Sequence, residues 1–263
     1  GDLSMQMQMI VIPAAALTAS CLTFFSGFGL GTILMPVFLI FFPLDTAIAL
    51  TAVVHFLNNI LKVLILWKDA AWGVVWKFGV PAFLAAFLGA KILFALEKWP
   101  TLCVYQLLGK EMEITFVKLT IAGLIAVFVV LELAPAFKKM SFPASFLPLG
   151  GVLSGFFGGL SGLQGALRSM FLLKCGLDKE RFIATGVIVA CLVDFSRLTV
   201  YGGYLTRSRY QDYLGLMITA VLSAFAGVFI GSRLMKKITM KTVQVIVSVM
   251  LFVIALALGA GII

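Results

Sequence analysis

The chain has 263 residues, of which 62% are hydrophobic and 12% are charged, with a formal net charge of +9. Soluble domains are typically about 45–50% apolar and about 25% charged, so this composition excludes an ordinary water-soluble globule and predicts an integral membrane protein. The basic residues stand singly or in pairs between apolar runs, as Lys138-Lys139 and Lys236-Lys237 do. This is typical of membrane-protein loops and excludes a nucleic-acid-binding groove.

Ten apolar runs of helical character follow one another and predict an all-α polytopic membrane protein. They cover 9–26, 31–42, 46–67, 75–96, 113–133, 145–160, 165–176, 180–201, 211–234 and 241–262. Crossing the hydrocarbon core takes about 20 helical residues, and most runs are long enough. Runs 31–42 and 165–176 are too short, so each is predicted to be a half-bilayer or re-entrant helix. Segment 97–112 is predicted to be a surface loop with room for a short interfacial helix.

The two short runs lie in similar surroundings. Each follows a glycine cluster, 26–31 in the first case and 158–165 in the second. Each leads to a Leu-Asp pair, Leu44-Asp45 or Leu177-Asp178, and then to a long helix with polar residues near its middle. This shared order predicts an internal repeat, in which each half has a glycine-broken short helix followed by long transmembrane helices.

Loop charge favours an odd number of membrane crossings in each half. One side of the membrane then has ten cations and the other has four. This charge bias is stronger than the one that an even number of crossings in each half would give. The ten are Lys68, Lys77, Lys138, Lys139, Lys174, Lys179, Arg181, Lys236, Lys237 and Lys241. The positive-inside rule makes their side cytoplasmic. Residues 1–140 and 141–263 are therefore predicted to form two inverted repeats of one membrane domain. Both termini are expected outside the cytoplasm of a bacterial-type inner membrane.

The glycine clusters predict an anion site. Their backbone N–H groups lack helical partners and must face protein, water or substrate. The N-termini of the short helices that follow offer free donors and partial positive charge, and two such ends meeting at the midplane suit an anion. The alternative is that the glycines only allow close helix packing, as Gly227 and Gly231 do. The candidate anion-binding residues here are Gly27, Gly29, Gly31, Thr32, Ser161, Gly162 and Gly165.

Arg168 lies in the first turn of the second short run. An arginine at the centre of a span costs about 2.5–3.5 kcal/mol on insertion scales, and intramembrane charges usually serve a function. Its planar fork of donors suits a sulfonate, carboxylate or phosphate. We expect Arg168 to bind the substrate charge and Gln164 and Ser169 to hold its oxygens. The alternative is a structural ion pair, with Asp194 as the partner.

Polar residues form a stripe on the long helix of each half. In the first half the spacing i, i+3, i+4 and i+7 puts four polar residues on one face, which should line the interior. These are His55, Asn58, Asn59 and Lys62, and the matching face in the second half has Cys191, Asp194, Arg197 and Tyr201.

Two interpretations of these stripes stay open. In the first, Asn58 and Asn59 bind the anion, while His55, Asp194, Lys62 and Arg197 act in coupling or gating. A coupling proton would then reside on His55 or Asp194. In the second, the same residues make interhelical hydrogen bonds and an Asp194–Arg197 pair that hold the bundle together. A single histidine and the lack of a CxxC pair favour no metal and no cofactor.

Taken together, these features resemble the sulfite exporter TauE/SafE family, also called the TSUP permeases, over nearly the whole chain. The resemblance rests on the first glycine segment with Pro36, on 155–165, on the Leu-Asp pairs, and on the matching Gly89-Ala90-Lys91 and Gly231-Ser232-Arg233. It implies transport of sulfur-containing anions such as sulfite, thiosulfate, sulfoacetate and other organosulfonates, often as export. The second segment departs from the family's usual Gly-x-Gly-Gly-Gly and Pro. The added Gln164 and Arg168 indicate a specialised subgroup.

The sequence therefore predicts a secondary transporter that holds a small anion at the midplane and works by alternating access. Its expected partners are the anionic substrate, the lipid bilayer and, for uptake, a coupling proton or sodium ion. An anion channel and a structural subunit of a membrane complex are the alternatives. A membrane enzyme is disfavoured, because the sequence has no HExxH motif and no paired intramembrane aspartates.

Overall fold

The structure, a computed structural model, describes residues 2–24, 30–107, 109–134, 142–205, 213–234 and 240–263. Each predicted apolar run overlaps one of the ten α-helices in these ranges. They are α1 (Asp2–Thr23), α2 (Leu30–Phe41), α3 (Leu44–Leu66), α4 (Trp72–Glu97), α5 (Phe116–Leu133), α6 (Leu147–Ser161), α7 (Gly165–Leu172), α8 (Lys179–Leu205), α9 (Leu214–Leu234) and α10 (Met240–Gly259). The polytopic helical architecture is thereby confirmed.

Helix length sets α2 and α7 apart from the other helices. Within the described residues, α1, α3, α4, α6, α8 and α9 include stretches long and apolar enough to cross a membrane. By contrast, α2 has 12 residues and α7 has eight, or about 18 Å and about 12 Å at 1.5 Å per residue. The second short helix ends earlier than predicted. The chain turns at Gly176, whose φ of +66° suits glycine.

Segment 97–112 departs from the prediction of a loop with an interfacial helix. It contains strand β1 (Cys103–Leu107), which pairs antiparallel with β2 (Lys110–Ile114). Gly109 supplies the positive φ of +75° that a tight hairpin turn needs. The Tyr105 hydroxyl donates to the Ala260 carbonyl at 2.5 Å and ties the hairpin to the chain beyond α10. The all-α prediction is therefore corrected at this surface hairpin.

Small residues bring two pairs of helices into backbone contact. A Cβ atom at Gly155 of α6 would collide with the carbonyl oxygen of Ala82 in α4, and one at Gly159 would collide with that of Ala86. Between α9 and α1, a Cβ atom at Gly231 would lie 2.8 Å from the Cys21 carbonyl oxygen. The packing predicted for Gly227 and Gly231 is confirmed, and the glycines of α6 serve the same purpose.

Most of the helix contacts follow a regular scheme when α1–α5 are matched in order with α6–α10. The α1–α9 contact then corresponds to α4–α6, α1–α2 to α6–α7, and α2–α3 to α7–α8. Likewise, α4–α8 corresponds to α3–α9 and α2–α10 to α5–α7, while α3–α8 and α5–α10 correspond to themselves.

Helices α3 and α8 form the centre of the bundle. In the most apolar window of each, 56% of residues are buried, compared with 22% for α1. These two helices contact each other and carry the polar stripes predicted from the sequence. Side chains at their shared face are therefore surrounded by protein.

Candidate functional site

The polar stripe of α3 faces the interior, as its spacing predicts. Exposure is 2% for His55, 0% for Asn58, 3% for Asn59 and 4% for Lys62. Phe195, the residue after the buried Asp194 on α8, is 51% exposed. Polar groups of the central helices are therefore kept away from the outer surface, where lipid would leave them unsatisfied.

Asp194 is the centre of a buried polar cluster that joins α3 to α8. Its Oδ2 atom lies 2.6 Å from His55 Nδ1 and accepts a 3.1 Å hydrogen bond from Asn59 Nδ2. Its Oδ1 atom accepts from Arg197 Nε at 3.0 Å and lies 2.8 Å from Arg197 Nη2. We call these four residues the Asp194 layer. The predicted Asp194–Arg197 pair is present, and Asp194 also contacts His55 on α3.

A cavity of about 30 Å³ lies beside this layer, with room for one or two water molecules. We call it the cation cavity, because Lys62 of α3 and Arg168 of α7 both line it. His55 and Asn59 form one wall. The hydroxyl-bearing residues Thr23 and Ser169 add polar groups, while apolar side chains complete the lining.

Both cations have defined neighbours. Arg168 is 6% exposed, and its Nε atom lies 3.4 Å from the point where a Cβ atom of Gly186 would be. The lack of a side chain at Gly186 thus makes room for the guanidinium against α8. Lys62 Nζ lies 5.6 Å from the centre of the Phe24 ring, a cation–π distance. Two positive charges are therefore held in one cavity.

A second gap lies on the other side of the Asp194 layer. Gly31, Thr51, Ser161, Gly162 and Arg197 are among its lining residues, and it is too narrow for a water molecule. Gly162 has a φ of +79°, and a Cβ atom there would lie 2.7 Å from Arg197 Nη1. We call this space the narrow gap. It brings parts of the two glycine segments together around Arg197.

Other predicted site residues lie elsewhere. Asn58 accepts a hydrogen bond from Ser20 Oγ at 3.0 Å and is not among the residues lining the cation cavity. Gln164 is 2% exposed and packs beside Gly158. Its side-chain amide makes no hydrogen bond to the part of the chain that the structure describes. Thr32 and Gly165 line a separate small space together with Phe128 and Leu251 of α5 and α10. Gly27 and Gly29 lie outside the described residues.

Among the lining residues of the cation cavity that sequence reasoning missed, three contact or face its polar groups. Thr23 ends α1, and its buried Oγ1 atom has no hydrogen-bond partner among the described residues. Phe24 lies next to it and faces Lys62. Gly186 accommodates Arg168. The position of Thr23 shortly before the first glycine cluster was a usable signal, whereas Gly186 looks like any glycine within an apolar run.

One protein-family model matches a range of the chain that includes the whole candidate site. The family model described as TauE, sulfite exporter TauE/SafE, matches residues 12–258. This range extends from α1 to α10 and includes every candidate residue discussed above. No curated protein and no solved structure matches the chain.

Proposed function

The chain belongs to the sulfite exporter TauE/SafE family, a family of membrane transporters, and we propose that it transports small sulfur-containing anions such as sulfite or organosulfonates. In this proposal it is a secondary transporter with alternating access. The anion is held near the midplane, between the short helices α2 and α7.

The balance of buried charge carries the proposal. The charged side chains that are buried among the described residues include three cations, Lys62, Arg168 and Arg197, and one carboxylate, Asp194. These four side chains together have a net charge of +2. Buried charge is costly unless an opposite charge lies close by. A small anion in the cation cavity would offset this excess of positive charge, which supports an anionic substrate over a cationic one.

The chemistry of the lining suggests distinct roles. Arg168 offers parallel N–H donors for two oxygens of one sulfur group, while Lys62 acts as a compact point charge. Ser169, Asn59 and Thr23 line the same cavity and would donate to the remaining oxygens.

The remaining candidates are assigned to other points of the path. We place Gly31, Ser161 and Gly162 at the narrow gap. Thr32 and Gly165 line their own small space, Asn58 contacts Ser20 and Gln164 packs beside Gly158, and we keep these four as proposed anion-binding residues. Gly27 and Gly29 also remain proposed anion-binding residues.

The packing scheme supports two related halves. Each helix contact named above has a counterpart when the first five helices are matched with the last five. Inverted repeats of residues 1–140 and 141–263 would produce such a scheme, and they occur in many secondary transporters. The repeat would also explain why both α2 and α7 are short.

Direction follows from membrane energetics. A membrane potential that is negative inside favours the export of an anion by about 2.3 kcal/mol of free energy per charge per 100 mV. Export therefore needs no other driving force. Uptake would need a coupling proton or sodium ion. We propose His55 and Asp194 as the site of a coupling proton, with Lys62 and Arg197 as gating partners.

Flux of radiolabelled sulfite, or of an organosulfonate, into proteoliposomes tests the proposal. We expect saturable uptake that is accelerated by unlabelled anion on the opposite side. Arg168→Ala should lower kcat/KM at least about tenfold, because a hydrogen bond to a charged group contributes about 1.5–3 kcal/mol. Arg168→Lys should recover only part of this, since lysine lacks the planar fork.

Lys91→Ala is the matched control, because Lys91 is exposed and lies over the Phe87 ring, away from the cavity. It should leave flux unchanged. Equal flux for the wild type and Arg168→Ala would contradict the role of Arg168. Non-saturating currents in place of exchange would indicate a channel.

A further inference from the structure

The order of residues along α3 and α8 places the Asp194 layer between the two spaces. Along α3, Thr51 faces the narrow gap, His55 belongs to the layer, and Lys62 lines the cation cavity. Along α8 the order is reversed, with Ile183 at the cavity, Asp194 in the layer and Arg197 at the gap. Along both central helices, the Asp194 layer therefore lies between the cation cavity and the narrow gap.

The cation cavity lies towards one end of the bundle. Lys62 is four residues from the end of α3, and Ile183 is four residues from the beginning of α8, about 6 Å along each axis. Lys68 follows α3, and Lys179 and Arg181 lie in the first turn of α8. We call this the lysine-rich end. The narrow gap lies towards the opposite end.

We propose that the Asp194 layer is the gate of the transport path, and that this structure is the state closed beyond the layer and facing the lysine-rich end. This inference rests on the proposed function, because it assigns the step that separates the two orientations of the carrier. It identifies the residues of the gate, the end of the bundle that the cavity faces and the contact that closes the gate.

The closing contact has a direct physical basis. Asp194 binds Arg197 on one side and His55 on the other, so its carboxylate links α8 to α3 across the path. The Arg197 guanidinium in turn lies over Gly162 and leaves no space for water there. An anion that reaches the layer meets a carboxylate of its own sign. It passes only by replacing Asp194 as the partner of Arg197, and the gate opens through this exchange.

Accessibility of single cysteines tests the gate without any substrate. The four native cysteines, Cys21, Cys103, Cys175 and Cys191, are first replaced. Ser169→Cys then reports on the cation cavity and Thr51→Cys on the narrow gap. A membrane-impermeant thiol reagent is applied to membrane vesicles from each face in turn. The face from which Ser169→Cys reacts identifies the open side. From that face, Thr51→Cys should react at least about tenfold more slowly, equivalent to about 1.4 kcal/mol.

Removing the carboxylate charge should open the gate. In the Asp194→Asn background, Thr51→Cys should become reactive from the face that labels Ser169→Cys. Arg197→Met should have the same effect, because it removes the group that fills the narrow gap. Asp178→Asn is the matched control. That carboxylate is exposed, accepts from the Arg181 backbone at the beginning of α8, and lies outside the layer.

Two results would overturn the proposal. One is Thr51→Cys reacting as fast as Ser169→Cys while Asp194 is intact. The other is Thr51→Cys staying unreactive in both Asp194→Asn and Arg197→Met, while Ser169→Cys still reacts from one face only. If Asp194→Asn unfolds, which labelling of Ser169→Cys from both faces would reveal, Arg197→Met decides the result. A protein that moves no sulfur anion but shows the expected labelling would refute the proposed substrate and retain the gate.

Discussion

At the scale of single residues, Asp194 has the largest predicted effect on stability. It is fully buried and contacts three polar side chains, so removing it leaves Arg197 charged and unpaired inside the bundle. Breaking a buried pair in this way typically costs about 3–5 kcal/mol. We expect Asp194→Ala to lower the thermal midpoint in detergent far more than Asp178→Ala. The double variant Asp194→Leu with Arg197→Met should recover much of the loss, and additive losses would contradict a direct pair.

Gly186 is predicted to set the position of the Arg168 guanidinium in the cation cavity. A branched side chain at this position would press on a guanidinium whose Nε atom is already within 3.4 Å of the Cβ position. We expect Gly186→Val to raise the KM for the transported anion by about tenfold, or about 1.4 kcal/mol, with a smaller change in kcat.

Gly202→Val is the matched control for that prediction. It introduces the same substitution on the same helix at a position with open space. Equal KM values for the two variants would show that Gly186 does not act through Arg168.

At the scale of secondary-structure elements, the α4–α6 contact depends on glycine. A methyl group at Gly155 would overlap the Ala82 backbone, which cannot move aside as a flexible side chain could. We expect Gly155→Ala to lower the free energy of unfolding by about 1–3 kcal/mol, the usual cost of overpacking a core. Gly123→Ala, on α5 with open space around it, should be neutral or stabilising. Thermal unfolding of both variants in detergent would distinguish them.

The observed elements show which features of the fold could be predicted from the sequence. The helices could be predicted from the apolar runs, because a helix that spans lipid needs a long hydrophobic segment. The shared face of His55 and Lys62 could be predicted from their spacing, because the helical period fixes which residues lie on one face. The hairpin at Cys103–Ile114 was missed because its strands are short and its alternation is weak. Gln164 was predicted to bind substrate from its place near Arg168, and Asn58 from its place on the polar face of α3, and both stay predictions. Their packing against neighbouring helices is set by tertiary contacts that no local pattern encodes.

At the scale of the whole molecule, the first five helices and the last five meet at the centre. Helices α3 and α8 contact each other, and each also packs against helices of the other group, as in α4–α8 and α3–α9. The Asp194 layer takes side chains from both central helices. A rocking motion of one half against the other would therefore act directly on the contact between His55 and Asp194. This is how a local ion pair can respond to a global change of orientation.

The orientation of the whole bundle gives a last prediction. Lys68 and the exposed Cys103 of the hairpin lie beyond opposite ends of α4, a helix long enough to cross the membrane. From the excess of cations on the side of Lys68, we predict that this side is cytoplasmic. With Cys103 as the sole cysteine, an impermeant maleimide should label the protein in intact cells. With Cys103 replaced and Lys68→Cys introduced, labelling should need permeabilised cells. The reverse result would invert the topology, and with it the face from which the cation cavity is reached. Labelling of both positions in intact cells would contradict a membrane-spanning α4.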